Sequence, residues 1–228
     1  GAMNLNQSLT VTGTYEQTAG STSVASGKTM AVSSTVTLTG GTMALAGGLS
    51  GTSFTQQSGT SLSGNGTVTV TAAATVNLNG GTDSGTRTYV LNPDGLTVGQ
   101  LNIAAGYTYN ASTTVNGSAT IAGPFTVNAG RVFTVYGASG GTNPKTVTVP
   151  ALTNYGTVNF STAANGWQAT ISVPTGTFTN AAGATFNFNE AGTGTLGVVT
   201  LAAQVDNQGT INVNTGTPTA PAMGKAGA

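Results

Sequence analysis

The chain contains neither cysteine nor histidine, and of its 228 residues only 5 are Lys or Arg and 5 are Asp or Glu. Each shortage removes a class of chemistry. Without thiol or imidazole there is no zinc finger, no imidazole metal site, no cysteine nucleophile and no Ser–His triad. The carboxylates are Glu16, Asp83, Asp94, Glu190 and Asp206, a thin supply for acid–base catalysis, which needs titratable groups within mutual reach. The cations are Lys28, Arg87, Arg131, Lys145 and Lys225, and the net charge is zero, so no electrostatic footprint for nucleic acid or an anionic membrane is present. No run of about 18 apolar residues is found, and no bilayer-spanning helix is expected. The sequence therefore predicts a protein that is not an enzyme and has no catalytic residue, cofactor or metal.

Glycine, by contrast, is abundant at 35 residues, and 38% of the chain is hydrophobic. Glycine lacks the every-third-residue period of collagen, and Val, Ile and Thr recur in alternation, so the chain reads as ordered and β-rich rather than disordered. Gly1-Ala2-Met3 has the form of a protease-cleavage remnant of an expression tag. Residues 4–214 read as one β domain, with an irregular seam near 83–95. Residues 215–228, rich in Gly, Pro, Ala and Thr, read as a flexible linker or tail.

Two signatures repeat. The first is strict alternation of Thr or Asn with an aliphatic residue, as in Thr35-Val36-Thr37-Leu38-Thr39, Thr67-Val68-Thr69-Val70-Thr71, Thr75-Val76-Asn77-Leu78-Asn79 and Thr210-Ile211-Asn212-Val213-Asn214. A period of two places the aliphatics on one side of a half-buried strand. The second is a turn carrying Asn and Gly before the next strand, around Asn154 and Gly156, Asn180 and Gly183, and Asn207 and Gly209. Gly accepts positive φ at such corners and Asn bonds its own backbone. Strand phrases returning after some 20–27 residues predict stacked coils, roughly 8–11 of them, in which the three Asn form an amide ladder. The predicted fold is all-β, a right-handed parallel β-solenoid, with an antiparallel β-sandwich as the alternative.

The phrases Leu152 to Phe160, Phe178 to Phe188 and Val205 to Val213, each of the form apolar-x-Asn-x-Gly-Thr-apolar or a variant of it, resemble the parallel β-helices of filamentous-haemagglutinin-like adhesins and autotransporter passengers. The resemblance covers about half the chain. It implies a secreted or surface-displayed bacterial rod in which the helix is a stalk or an adhesive surface, and it carries no catalytic residues.

Several side chains are candidates for binding. Trp167, the single tryptophan, stands in a Gly-containing polar stretch between Asn165 and Gln168. A ring so placed stacks on a sugar face while the amides supply hydrogen bonds, or it caps an apolar edge. Tyr107 and Tyr109 alternate with Thr108 and so share one strand face, either as an exposed pair or as buried rungs. Asp83 and Asp94 are the only carboxylates close in sequence; both read as turn residues, with a glycosidase-like pair as the rival. Gly80-Gly81-Thr82-Asp83 echoes an incomplete calcium roll. Arrays of Thr-x-Thr on an uncharged sheet are also the kind of surface that orders water. The expected function is structural and adhesive, at the bacterial cell surface or outside the cell, with an ice-binding solenoid and a polysaccharide-degrading β-helix as alternatives. Expected partners are a glycan or a host or abiotic surface, and further copies joined end to end through uncapped strand edges. Nucleic acid and membrane insertion are not expected.

Overall fold

The computed structural model describes residues 1–91, 99–137, 145–162, 168–190 and 199–214. Among them there is no helix, and every strand pairing is parallel. This excludes the antiparallel sandwich. The strands stack as a β-solenoid with three sheets, and the number of coils falls in the range that the repeat spacing predicts.

Alternation decides which side chains go in. Along the first sheet the inward column runs Leu9, Met30, Leu49, Val68, Tyr89, Thr113, Phe133, Val158, Phe186 and Ile211. The second sheet contributes Tyr15, Val36, Phe54, Val76, Leu101, Ala119, Val147, Ile171 and Leu201. Away from the two ends these residues are almost wholly removed from solvent. Each fully buried Val, Leu, Ile or Phe side chain is worth about 1.5–3 kcal/mol, so the continuous interior is the main source of stability.

The third sheet is divided. Its first part stacks Met3, Thr22, Met43, Leu62 and Asp83. Its second part stacks Phe125, Leu152, Phe178 and Val205. Between them, the pairing is reduced to a single bridge from Thr82 to Thr108. Among the described residues, the ladder of this sheet is thus interrupted between Asp83 and Phe125. Residues Thr88–Leu91 remain in register with Thr67–Val70 below and Ser112–Val115 above, and residues 92–98 lie outside the described residues.

The first strand, Ala2–Leu5, begins inside the segment read as a tag remnant. Ala2 and Met3 pair with Ser21 and Thr22, because a parallel ladder is made by backbone groups and is indifferent to the origin of the side chains. Four long strands, Gly48–Gln56, Thr67–Leu78, Ala169–Asn180 and Val199–Asn207, bend at a corner and serve two sheets each. The four internal segments outside the description all link a strand of the first sheet to one of the second.

Candidate functional site

The corner between the third and first sheets holds the amide ladder. Asn154, Asn180 and Asn207 occupy equivalent positions in successive coils. Asn154 Nδ2 donates to Asn180 Oδ1 at 2.9 Å, and Asn180 Nδ2 donates to Asn207 Oδ1 at 2.8 Å. Each amide also ties the next strand, Asn154 to the Thr185 carbonyl at 2.9 Å and Asn180 to that of Thr210 at 3.1 Å. Asn154 and Asn180 are fully buried, and these bonds satisfy polar groups that water cannot reach.

The three glycines of this corner do not serve one purpose. Gly183 has φ +82° and open space around it, so positive φ explains it. Gly156 and Gly209 are not in that conformation. A methyl group on Gly209 would lie 2.5 Å from the carbonyl oxygens of both Ala181 and Ala184, so there the coil below comes too close for any side chain. Gly156 is crowded in the same way by the carbonyls of Asn128 and Arg131.

The interior also carries a buried ion pair, in which Asp83 keeps a turn residue's bond to the Gly85 amide and pairs with Arg87 as well. Asp83 and Arg87 are both buried with side chains at 0% exposure. Arg87 Nε donates to the two carboxylate oxygens at 2.9 and 3.0 Å, Nη2 donates to Oδ1 at 2.5 Å, and Nη1 reaches the Ser63 carbonyl at 3.2 Å. Tyr89 and the Gly85 amide complete the shell, each donating to Asp83 at 3.2 Å. Burial is the largest single influence and would lower the Arg87 pKa, but hydrogen bonding to Asp83 and the electrostatic influence of Tyr89, Asp83 and Tyr107 together outweigh it and hold the pKa above the ordinary value. The signal was present in the sequence: Asp83, Gly85, Arg87, Tyr89 and Leu91 alternate inward without a break. Gly85 is required by close approach, since a Cβ there would stand 1.8 Å from the Gly64 carbonyl oxygen of the neighbouring coil as well as 2.8 Å from Arg87 Nη2.

Tyr107 and Tyr109 do share a side, and it is the interior. Tyr109 is buried, stacks near Tyr89 with centroids 6.1 Å apart, meets the Phe125 ring at 5.1 Å, and its hydroxyl bonds Thr113. Tyr107 is half-buried against the core, 6.5 Å from the Tyr109 ring, and donates to Gln56 Oε1 at 2.7 Å. These are buried rungs, filling the level at which the third sheet is interrupted. Desolvation drives the phenol pKa of Tyr89 and of Tyr109 well above the usual value, and raises that of Tyr107 as well.

Trp167 and Asn165 lie outside the described residues, as does Asp94. Gln168 is exposed, and its carbonyl accepts the Lys145 amide at 2.9 Å. Lys145 itself turns inward at the edge of the second sheet and is buried. Among the described residues no group of three or more His, Cys, Asp or Glu gathers as a metal set, and no helix is long and apolar enough to cross a membrane.

The outer surface is the most regular feature. On the first sheet one outward column runs Thr10, Ala31, Ser50, Thr69, Val90, Thr114, Thr134, Asn159, Asn187 and Asn212. On the second, one runs Thr37, Thr55, Asn77, Asn102, Thr120, Thr148, Ser172 and Ala202. Where Asn occurs it donates to the column below it, as Asn212 to Asn187 and Asn187 to Asn159, both at 2.8 Å. The second column begins one coil lower at Glu16, beside Thr37; from Thr37 onward the described positions of both columns carry no charged side chain. No family model, curated protein or solved structure matches the chain.

Proposed function

We propose that the chain is a non-catalytic structural and adhesive segment of a bacterial cell-surface or secreted fibre protein. The observation that carries this reading is the outer surface: columns composed mainly of Thr, Ser and Asn continue from coil to coil over a largely apolar interior. An elongated hydrogen-bonded coil holds such columns at fixed spacing, and weak hydrogen-bonding contacts to a glycan or to a host or abiotic surface gain strength by repetition. The resemblance of the Asn-Gly turn phrases to filamentous-haemagglutinin-like and autotransporter-passenger β-helices supports the same role and an extracellular setting.

Catalysis is the weaker reading because Asp83, one member of the candidate catalytic carboxylate pair, is buried and held by Arg87 rather than open to a substrate. The role is tested with the intact domain on a glycan array and on beads coated with host extracellular material, cellulose or plastic. Retention on one surface class, reduced by soluble competitor, is the expected result. Absence of retention on all of them would sink the adhesive half of the reading, and a polysaccharide-depolymerising activity would overturn it entirely.

A further inference from the structure

The second sheet changes character along its length. In its lower coils the outward amides are tied to one another: Asn102 Nδ2 donates to Asn77 Oδ1 at 2.8 Å, Gln100 Nε2 to Asn102 Oδ1 at 3.0 Å, and Asn77 Nδ2 to Thr55 Oγ1 at 3.4 Å. Above them the amides give way to hydroxyls. One outward column there is Thr120, Thr148 and Ser172, and beside it runs Thr146, Thr170 and Thr200. Among the described residues these six side chains make no hydrogen bond with protein, so their hydroxyls are directed to solvent. Thr120 and Thr148 are exposed and the other four half-buried.

We propose that this patch binds ice. Parallel rungs repeat every ~4.8 Å, and outward residues two apart on a strand are about 6.6 Å apart. Two complete rungs, Thr146 with Thr148 and Thr170 with Ser172, form a rectangle of hydroxyls that Thr120 extends by one rung on one column and Thr200 by one rung on the other, and both periods of this net lie near repeats of the oxygen lattice of ordinary ice. Strict register keeps the net regular, since a slip by one residue would turn the hydroxyls inward.

The chemistry selects this occupant over a soluble ligand. No charged residue stands in either column, so there is nothing to chelate an ion or pair with a charged partner. No aromatic ring stands there either, whereas sites for single sugars or small molecules combine a concavity with stacking surface and a few convergent polar groups. A plane of equivalent uncharged hydroxyls gains little from one small ligand and much from a lattice that presents the same groups repeatedly. The proposal goes beyond the adhesive reading and does not rest on it.

The test uses the purified chain in a nanolitre osmometer and an ice-recrystallisation assay. Thermal hysteresis with faceted ice crystals is expected for the parent protein. Thr148→Lys combined with Thr120→Lys removes it, and Thr126→Lys, on the third sheet, leaves it intact. Thr148→Ser, which keeps the hydroxyl and deletes only a methyl group, reduces activity without affecting the thermal melt and so separates ice contact from folding. A parent protein that leaves ice unshaped overturns the proposal. So does full hysteresis in the folded double variant, or an equal loss in Thr126→Lys.

Discussion

Asn154 and Asn180 stand 26 residues apart in sequence, yet the amide of one donates to the amide oxygen of the other at 2.9 Å, with neither exposed to solvent. The pair couples two coils through side chains where the backbone turns a corner and leaves its ladder. Because Asn180 also donates to Asn207 and to the Thr210 carbonyl, it is the central rung. Replacing Asn180 with Ala strands a buried donor of Asn154, and the expected loss is about 2 kcal/mol. Asn207→Ala, at the exposed end of the ladder, costs less than about 1 kcal/mol because water replaces the missing group. Urea unfolding of the two variants checks the order; equal losses would refute the ladder as a stabilising element.

The Asp83–Arg87 pair lies in an interior that is otherwise mostly apolar. Removing one partner leaves the other charged, buried and unpaired, so Asp83→Ala and Arg87→Ala should each cost about 3–5 kcal/mol. The double variant Asp83→Leu with Arg87→Met removes both charges together and should recover most of that loss. Additive destabilisation in the double variant, measured by denaturant unfolding, would contradict this account.

Burial of Tyr89 and Tyr109 predicts a response to alkali. Their folded-state pKa values are raised by desolvation, whereas in the unfolded chain a phenol ionises near pH 10. The unfolded state thus loses protons first. The contribution of these groups is fully present below about pH 10 and is lost as pH rises toward their folded-state pKa values. Denaturant midpoints should be flat with respect to these groups from pH 7 to 9 and fall above pH 10. Tyr89→Phe, compared with its own midpoint at neutral pH, should fall less steeply. An unchanged alkaline slope would discount Tyr89.

The corner glycines separate two physical causes. Gly183→Ala meets no atom, and its cost is the left-handed conformation alone, about 1–2 kcal/mol. Gly209→Ala meets two carbonyl oxygens of the coil below and must part the coils, so its loss is larger. Gly183→Asn should be better tolerated than Gly183→Ala, because Asn tolerates the left-handed region. No such relief is expected at Gly209. Thermal melts of the four variants distinguish the two cases.

Much of the fold was legible because a period of two survives in single phrases such as Thr67–Thr71, whose Val68 and Val70 both point inward. The Asn ladder was legible because the turn phrase keeps its form while its loop changes length. Two things were hidden. Which sheet a strand joins depends on short corners of variable length, and Gly48–Gln56 passes through one without any turn residue except Gly51. The buried pair was hidden because Asp and Gly at 83 and 85 carry strong turn preference, which masked the alternation reaching on to Arg87 and Tyr89. Tyr107 and Tyr109 were correctly given a common side, but only the closure of the coil around Gln56 and Thr113 decides which side it is.

The interruption of the third sheet at the Thr82–Thr108 bridge bears on how the rod comes apart. In an array held by nearest-neighbour contacts, stability is a sum of local terms and opening starts where the coupling is weakest. At this level two sheets instead of three carry the backbone ladder, and the aromatic and ionic cluster makes up the difference from inside. The molecule is therefore best regarded as two cooperative blocks joined at one level, able to exchange amide protons or yield to an axial pull separately. A mutation in the cluster would act chiefly on the joint between the blocks and leave each block's own cohesion largely unchanged.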